Sequence, residues 1–440
     1  LTGMEVLSAG AAGDASPPGG MALWLALLLA VFAMAFGTRR LDAAEHQRGL
    51  IWAIAFESVI KLVAFVAIGC FALFGLLGGG AGFTELIEQT PEYRDRFSPW
   101  QMPEGFVMQI VLAMTAVLCL PRQFHVAVVE YRGVGELKVA RWLFPAYLLI
   151  FTLFVVPIAV AGMERFGGAN VNPDTYVLAL PLAEGQGALA LLAFIGGFSA
   201  ATGMVIVSTV ALAIMVSNHL VMPLLIRRGP EQRLAEDLPN TLVWVRRGSI
   251  LAITLAAYAY FRGLEGGMPL ASIGLLAFSA AAQFAPAMLL GLYWRGASQA
   301  GAVTGLSGGV IAWLLLLLLP SFTGFAPLGE ALGFNEAAGI ALGLNTLALV
   351  VVSLLIPDMG SRQRSEAPGG RLITMGELQA TLGRFLGLEP TREALATELG
   401  ASALEPRALA SPATLQFGER LLAGAIGSAS ARSVLRSALQ

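Results

Sequence analysis

The sequence predicts an all-α, polytopic membrane protein, and three observations carry that prediction. Of 440 residues, 56% are hydrophobic and only 13% charged, whereas a soluble globular chain carries about 25% charged residues. The mean hydropathy is +0.73. Nine apolar segments reach or approach the roughly 20 residues of helix needed to cross a bilayer core. They are 21–36, 50–77, 105–120, 142–161, 187–216, 248–261, 267–293, 299–318 and 337–356.

Composition also excludes several classes. With 27 basic and 29 acidic residues, the formal net charge of −2 leaves no basic excess for a nucleic-acid backbone. The 51 glycines follow no collagen-like period and suit closely packed membrane helices. Cys70 and Cys119 lie in apolar runs without a CxxC spacing, so neither a disulfide framework nor a thiolate metal pair is available.

Taken in order, residues 1–20 are polar, end in Pro17-Pro18-Gly19-Gly20 and lack the basic start of a signal peptide. They are expected to lie on the outer side. Because the chain starts at Leu1 and Gln440 falls in a helix-like pattern, both ends read as cut from a longer protein. The loops 38–48, 121–141, 226–247 and 294–298 hold 13 Arg or Lys, among them Arg39, Arg122, Arg228 and Arg246. The alternate loops hold four basic residues and eleven acids, such as Glu85, Glu92 and Asp174. The excess of basic residues assigns the first set to the cytoplasm, and the tail after Ile356 with it.

Beyond Ile356 the apolar character ends, and 357–370 reads as a linker containing Ala367-Pro-Gly-Gly370. Residues 371–440 are expected to form a small cytoplasmic helical module. Its helices are predicted at 375–387, at 391–399 capped by Thr391, and at 412–438 opened by Ser411 and Pro412. The last places Leu415, Leu422, Ile426 and Val434 near one face.

Charge inside an apolar run is the clearest chemical signal. Glu57 and Lys61 stand one turn apart, at i and i+4, within the 50–77 segment. A lone charge at mid-membrane costs about 2.5–3.5 kcal/mol on insertion scales, so the pair is expected to face protein and neutralise itself. It serves either as a relay or switch along a solute path, or as a lock between helices. Gln109 and Thr115 in the 105–120 segment suit either solute hydrogen bonding or helix–helix contact. His46, His125 and His219 sit at the ends of spans without metal-ligand spacing. No Ser-His-Asp set, phosphate-binding loop or paired catalytic carboxylates occur, and no catalytic domain is predicted within the chain.

Three stretches resemble the sodium/solute symporter family. Ala285-Pro-Ala-Met-Leu-Leu-Gly-Leu-Tyr-Trp-Arg-Gly-Ala-Ser-Gln-Ala-Gly-Ala-Val-Thr-Gly305 is similar to the family's turn between two late helices. Gly37-Thr-Arg39 through Arg48 is similar to the entry into the fifth core helix, and Leu120-Pro-Arg-Gln-Phe-His125 to a "QPH" segment. The resemblance implies a LeuT-like inverted-repeat fold. The nine spans then correspond to helices five to thirteen of thirteen, an incomplete set. It also implies a small-molecule solute and sodium or a proton as coupling ion, with no other cofactor. Glu45 falls where the family carries an acid near a sodium site. The family's paired sodium-binding hydroxyls fall on Gly203 and Met204, which have none; Thr202 and Ser199 stand beside them as the nearest oxygen ligands. His125 joins Glu57, Lys61, Glu45 and Gln109 as candidates for the solute path.

The tail carries a second resemblance. Phe417-Gly-Glu-Arg-Leu-Leu-Ala-Gly-Ala-Ile-Gly-Ser-Ala-Ser-Ala-Arg432, with Met375-Gly-Glu-Leu and Arg384-Phe-Leu-Gly387 upstream, resembles the STAC domain. That domain joins symporter-like inputs to two-component histidine kinases of the CbrA-like kind. The resemblance implies the input portion of a sensor histidine kinase in a bacterial inner membrane. It implies a downstream PAS and kinase region, a response regulator and a homodimer as partners, histidine or another amino acid as solute, and no nucleic acid. A secondary transporter without kinase function is the alternative.

Overall fold

The computed structural model describes residues 19–37, 48–97, 102–129, 134–167, 171–221, 223–224, 231–263, 269–323, 332–357, 373–399, 405–426, 431 and 434–435. Glu45, His46 and the expected linker 357–370, apart from Pro357, lie outside these residues. The described chain is helical, with a single isolated bridge between Thr374 and Leu409. Helices α1 (Gly19–Gly37) and α2 (Arg48–Cys70) lead into a π-turn at Phe71–Leu76. Then come α3 (Gly79–Gln89), α4 (Pro91–Arg96), α5 (Phe106–Cys119) and α6 (Pro121–Phe124), which continues as a π-turn at His125–Val129. Next are α7 (Val134–Phe166), α8 (Tyr176–Ala183), α9 (Gly187–Val216) with a π-turn at Ser217–Val221, and α10 (Glu231–Gly263). The membrane part closes with α11 (Leu270–Ala282), α12 (Ala285–Tyr293), α13 (Gln299–Trp313) with a π-turn at Leu314–Leu318, α14 (Leu319–Thr323) and α15 (Phe334–Leu355). The tail holds α16 (Met375–Leu386), α17 (Leu388–Leu399) and α18 (Pro412–Ile426).

Among the described residues, seven helices are long and apolar enough to cross a membrane. An eighth span counts if α5 and the segment Pro121–Val128 are taken together across their 49° bend, and Ala22–Ala35 is a shorter apolar helix. The protein is therefore an all-α, multi-pass membrane protein. The bend falls at Leu120–Pro121, where proline breaks the hydrogen-bond ladder.

Several boundaries differ from those expected, for physical reasons. The loop expected at 226–247 is helical from Glu231 onward, because a helix that leaves the apolar layer continues through charged residues that hydropathy alone scores as loop. The span expected at 142–161 runs from Val134 to Phe166 with Pro145 and Pro157 inside it, as membrane helices tolerate. Residues Gly79–Arg96, expected as loop, form two short helices, the second with Pro91 in its first turn. Thr391 caps nothing: α17 starts at Leu388, and the Thr391 hydroxyl donates to the Gly387 carbonyl at 2.7 Å. Ser411 does receive the Thr414 amide, at 3.1 Å, and Thr374 forms a capping box with Glu377.

The chain divides into two compact units. The first comprises Leu1–Trp24, Ile51–Met204 and Ala259–Asp358. One of its cores joins α2, α7, α8 and α9 through Ile68, Phe154, Ile158, Tyr176, Leu180 and Ala190. A side chain at Gly69 would land on the Phe154 ring, and one at Gly162 on Tyr176. A second core joins α5, α11 and α15 through Leu112, Leu276, Ala282 and Ala338. The second unit comprises Leu25–Leu50, Val205–Tyr258 and Met359–Gln440. There Ala30, Ala33, Val210, Ala213 and Ile250 pack α1, α9 and α10 together. The tail residues Ile373, Leu378, Leu382, Leu395 and Leu422 form a core that takes in Leu242 of α10.

Candidate functional site

The α2 and α9 helices of the first unit approach closely at two glycines. A Cβ at Gly196 would meet the Ala64 methyl at 2.6 Å, and one at Gly203 would land on the Glu57 carboxylate. Both pairs of positions are seven residues apart, in opposite senses, so the crossing extends over two turns. Glycine removes the side chains that would otherwise hold two membrane helices apart. At Gly203 it leaves room for a carboxylate.

Around that carboxylate the structure gathers three further polar groups. The Lys61 ammonium lies 3.9 Å from Glu57 Oε1, with 32% of its side chain exposed against 13% for Glu57. That distance is the outer limit of an ion pair, and neither group is saturated by the other. The α5–α6 bend brings Arg122 within electrostatic reach of Glu57. Tyr147 of α7 is also within reach, and its hydroxyl donates to the Ser58 carbonyl at 3.3 Å. Four elements thus contribute to one patch of mixed charge, with two bases against one acid.

The other candidates fall differently. Thr202 lies next to Gly203, but its hydroxyl donates to the Phe198 and Ser199 carbonyls of its own helix, and Ser199 is half-buried. Gln109 is exposed on α5, so the structure does not bring it to the Glu57 patch. Thr115 is buried and donates back to the Val111 and Leu112 carbonyls at 2.9 and 3.0 Å. His125 is buried, at 8% exposure, where the bent segment turns into its π-turn. Among the described residues no group of three or more His, Cys, Asp or Glu side chains could hold a metal ion.

Sequence reasoning missed Arg122 and Tyr147 as partners of Glu57. Arg122 lies in the proline-headed motif already singled out, and the proline was the available signal of a redirected chain. No such signal marked Tyr147.

A second polar cluster lies in the late helices of the same unit. The Asn345 side-chain amide donates to the Gln283 carbonyl at 2.7 Å and to its Oε1 at 3.1 Å. The Gln283 amide reaches the Ser279 carbonyl at 3.3 Å, and Trp313 Nε1 donates to the Ser279 hydroxyl at 2.9 Å. Gly301, Gly305 and Gly309 line the α13–α15 seam, where added Cβ atoms would strike Ser353, Asn345 and Gln283.

The chain is 28% identical over 215 residues to an uncharacterised symporter of Cupriavidus necator, a bacterium. The match covers 44% of this chain and 28% of that relative's length. No family model matches, and no solved structure matches. The chain is thus a multi-pass, all-α membrane protein with a distant bacterial symporter relative.

Proposed function

We propose that the chain is the membrane portion of a secondary solute carrier of the symporter type, which binds a small zwitterionic or anionic solute such as an amino acid at the Glu57–Lys61–Arg122 patch. The observation that carries this reading is the Glu57 carboxylate lodged against Gly203 with its nearest cation only loosely engaged. A purely structural pair would close to hydrogen-bond distance. A pair left open retains capacity for the carboxylate and ammonium of an incoming solute, and the second base, Arg122, favours solutes with a carboxylate. In this reading the fold is the LeuT-like inverted repeat of the sodium/solute symporters, with Thr202, Ser199 and Glu45 as secondary oxygen donors.

The same geometry bears on the coupling ion. Lys61 supplies a fixed cation beside the α2–α9 crossing, so uptake proceeds without sodium, and a proton is the coupling ion if one is required. The test is uptake of radiolabelled amino acids by the protein expressed from its whole reading frame in proteoliposomes. Uptake that survives replacement of sodium by choline and falls at least about tenfold in Glu57→Gln and Lys61→Met supports the proposal. Strict sodium dependence overturns the coupling assignment, and wild-type uptake in both variants overturns the site.

A second reading is favoured by the packing of Leu242 into the tail core. In it the tail is a STAC-like module, cytoplasmic at the inner membrane. It passes solute binding to a PAS and histidine-kinase region and a response regulator, with the protein as a homodimer. Solute-dependent autophosphorylation of the product of the whole reading frame supports it; a product without kinase activity removes it.

A further inference from the structure

We propose that Arg246, Ser217 and Asn218, in the second unit, form a seat for a phosphate-bearing anion, with an anionic phospholipid headgroup as its natural occupant. The starting observation is a buried cation with no counter-ion among the described residues. Arg246 is 8% exposed, and among the described residues it has no salt bridge and no partner for its Nε. An uncompensated buried charge costs several kcal/mol, so a protein that keeps one gains from an anion that comes from elsewhere.

Its surroundings are unsatisfied in the same way. In the π-turn after α9, Ser217 is fully buried and Asn218 is 6% exposed. Neither the Ser217 hydroxyl nor Asn218 Oδ1 has a partner among the described residues. Buried polar atoms are ordinarily hydrogen-bonded, and three orphans in two neighbouring elements ask for a common partner.

The fold places them at one level. Leu242, Arg246 and Ile250 share a face of α10 at i, i+4 and i+8; Leu242 belongs to the tail core, and Ile250 to the core it shares with Ala213 of α9. Arg246 is one turn from Ile250 toward the tail, and Ser217 is one turn from Ala213. Tail helix α18 in turn touches the π-turn Ser217–Val221. The three polar groups therefore lie between the membrane core and the tail core of this unit.

Chemistry and depth select the occupant. Arg246 and Ser217 donate hydrogen bonds, as a phosphate requires, while Asn218 Oδ1 accepts one, as a hydroxylated headgroup supplies. Arg246 lies five residues inside the apolar stretch that begins at Thr241, about 7.5 Å along the helix, the depth at which a lipid presents its headgroup. Phosphatidylglycerol combines the phosphate, the hydroxyls and the depth.

The experiment measures thermal stability and lipid retention by native mass spectrometry on delipidated protein. The probes are phosphatidylglycerol, phosphatidylcholine and inorganic phosphate, applied to the wild type, Arg246→Gln, Arg246→Lys and Arg247→Gln. Phosphatidylglycerol, and not phosphatidylcholine, is expected to stabilise the wild type. Arg246→Gln should bind it at least about tenfold more weakly, Arg246→Lys should fall between, and Arg247→Gln should stay within about twofold of the wild type. If inorganic phosphate alone gives the Arg246-dependent shift, the anion seat stands and the lipid assignment falls. If no probe stabilises the wild type, or if Arg246→Gln and Arg247→Gln lose affinity equally, the proposal is overturned.

Discussion

The two polar clusters of the first unit use glycine for opposite ends. At the α2–α9 crossing, Gly203 makes room for the end of a side chain, the Glu57 carboxylate, whose partner Lys61 stands 3.9 Å away. At the α13–α15 seam, Gly301 and Gly305 make room for backbone: their Cβ positions lie 2.6 Å from the Leu349 carbonyl oxygen and 2.7 Å from that of Asn345. The seam is neutral and tied at its end by the Ser298 amide, which donates to the Ser353 hydroxyl at 3.0 Å; the crossing is charged and open. Glycine in a membrane helix thus has no single meaning. What it faces decides whether it admits the end of a side chain or a stretch of backbone.

The sharpest way to break this contrast is overpacking of the seam. Gly301→Val should yield no monodisperse protein in detergent, because the atoms it strikes include the Leu349 carbonyl and the Ser353 amide, and backbone cannot swing aside. Normal yield and melting temperature would show that the seam tolerates separation. Next in size come the charges. Relative to the wild type, Glu57→Gln and Lys61→Met should each cost at least about tenfold in solute affinity; Glu57→Gln also leaves Lys61 without its acid, at about 2.5–3.5 kcal/mol, whereas Lys61→Met leaves Glu57 with Arg122 still in reach. The double variant should regain thermal stability without regaining binding; recovery of both would make the pair a lock.

Gly203→Ala should act more gently. The Glu57 headgroup can rotate away, so the melting temperature should hold while solute affinity drops severalfold. Gly305→Ala, by contrast, should lower the melting temperature and is expected to cost about 1–3 kcal/mol. If these two alanine variants behave alike, the distinction between the clusters fails. The smallest change is Asn345→Leu, which removes the donor to Gln283 and should cost about 1 kcal/mol, visible as a modest shift in a thermal melt.

The sequence displays one of these clusters far better than the other. Glu57 and Lys61 are conspicuous because a charge within an apolar run is costly unless it is paired or faces protein or water. Asn345 and Gln283 carry no charge and are scattered over 62 positions, so only the packed helices connect them. Arg122 reads as an interfacial residue until the 49° bend carries it toward Glu57. Gln109 shows the converse, since a polar residue in an apolar helix looks like site lining and yet is exposed here. The π-turns are illegible for a simpler reason: Leu314–Leu318 is five leucines, a run that suits an ordinary helix equally well.

The bend at Leu120–Pro121 has a consequence for hydration. Pro121 offers no amide hydrogen to the Val117 carbonyl, and the ends of α5 and α6 leave further donors and acceptors outside any helix ladder. Hydrocarbon cannot satisfy those groups, so neighbouring helices or water must, and water is expected to reach this joint. Cys119, the last residue of α5 and a free thiol, is a native reporter of that moisture. A water-soluble maleimide should modify Cys119 in the detergent-solubilised protein, where both faces are open to it, before it modifies Cys70, which ends an unbroken run of α2.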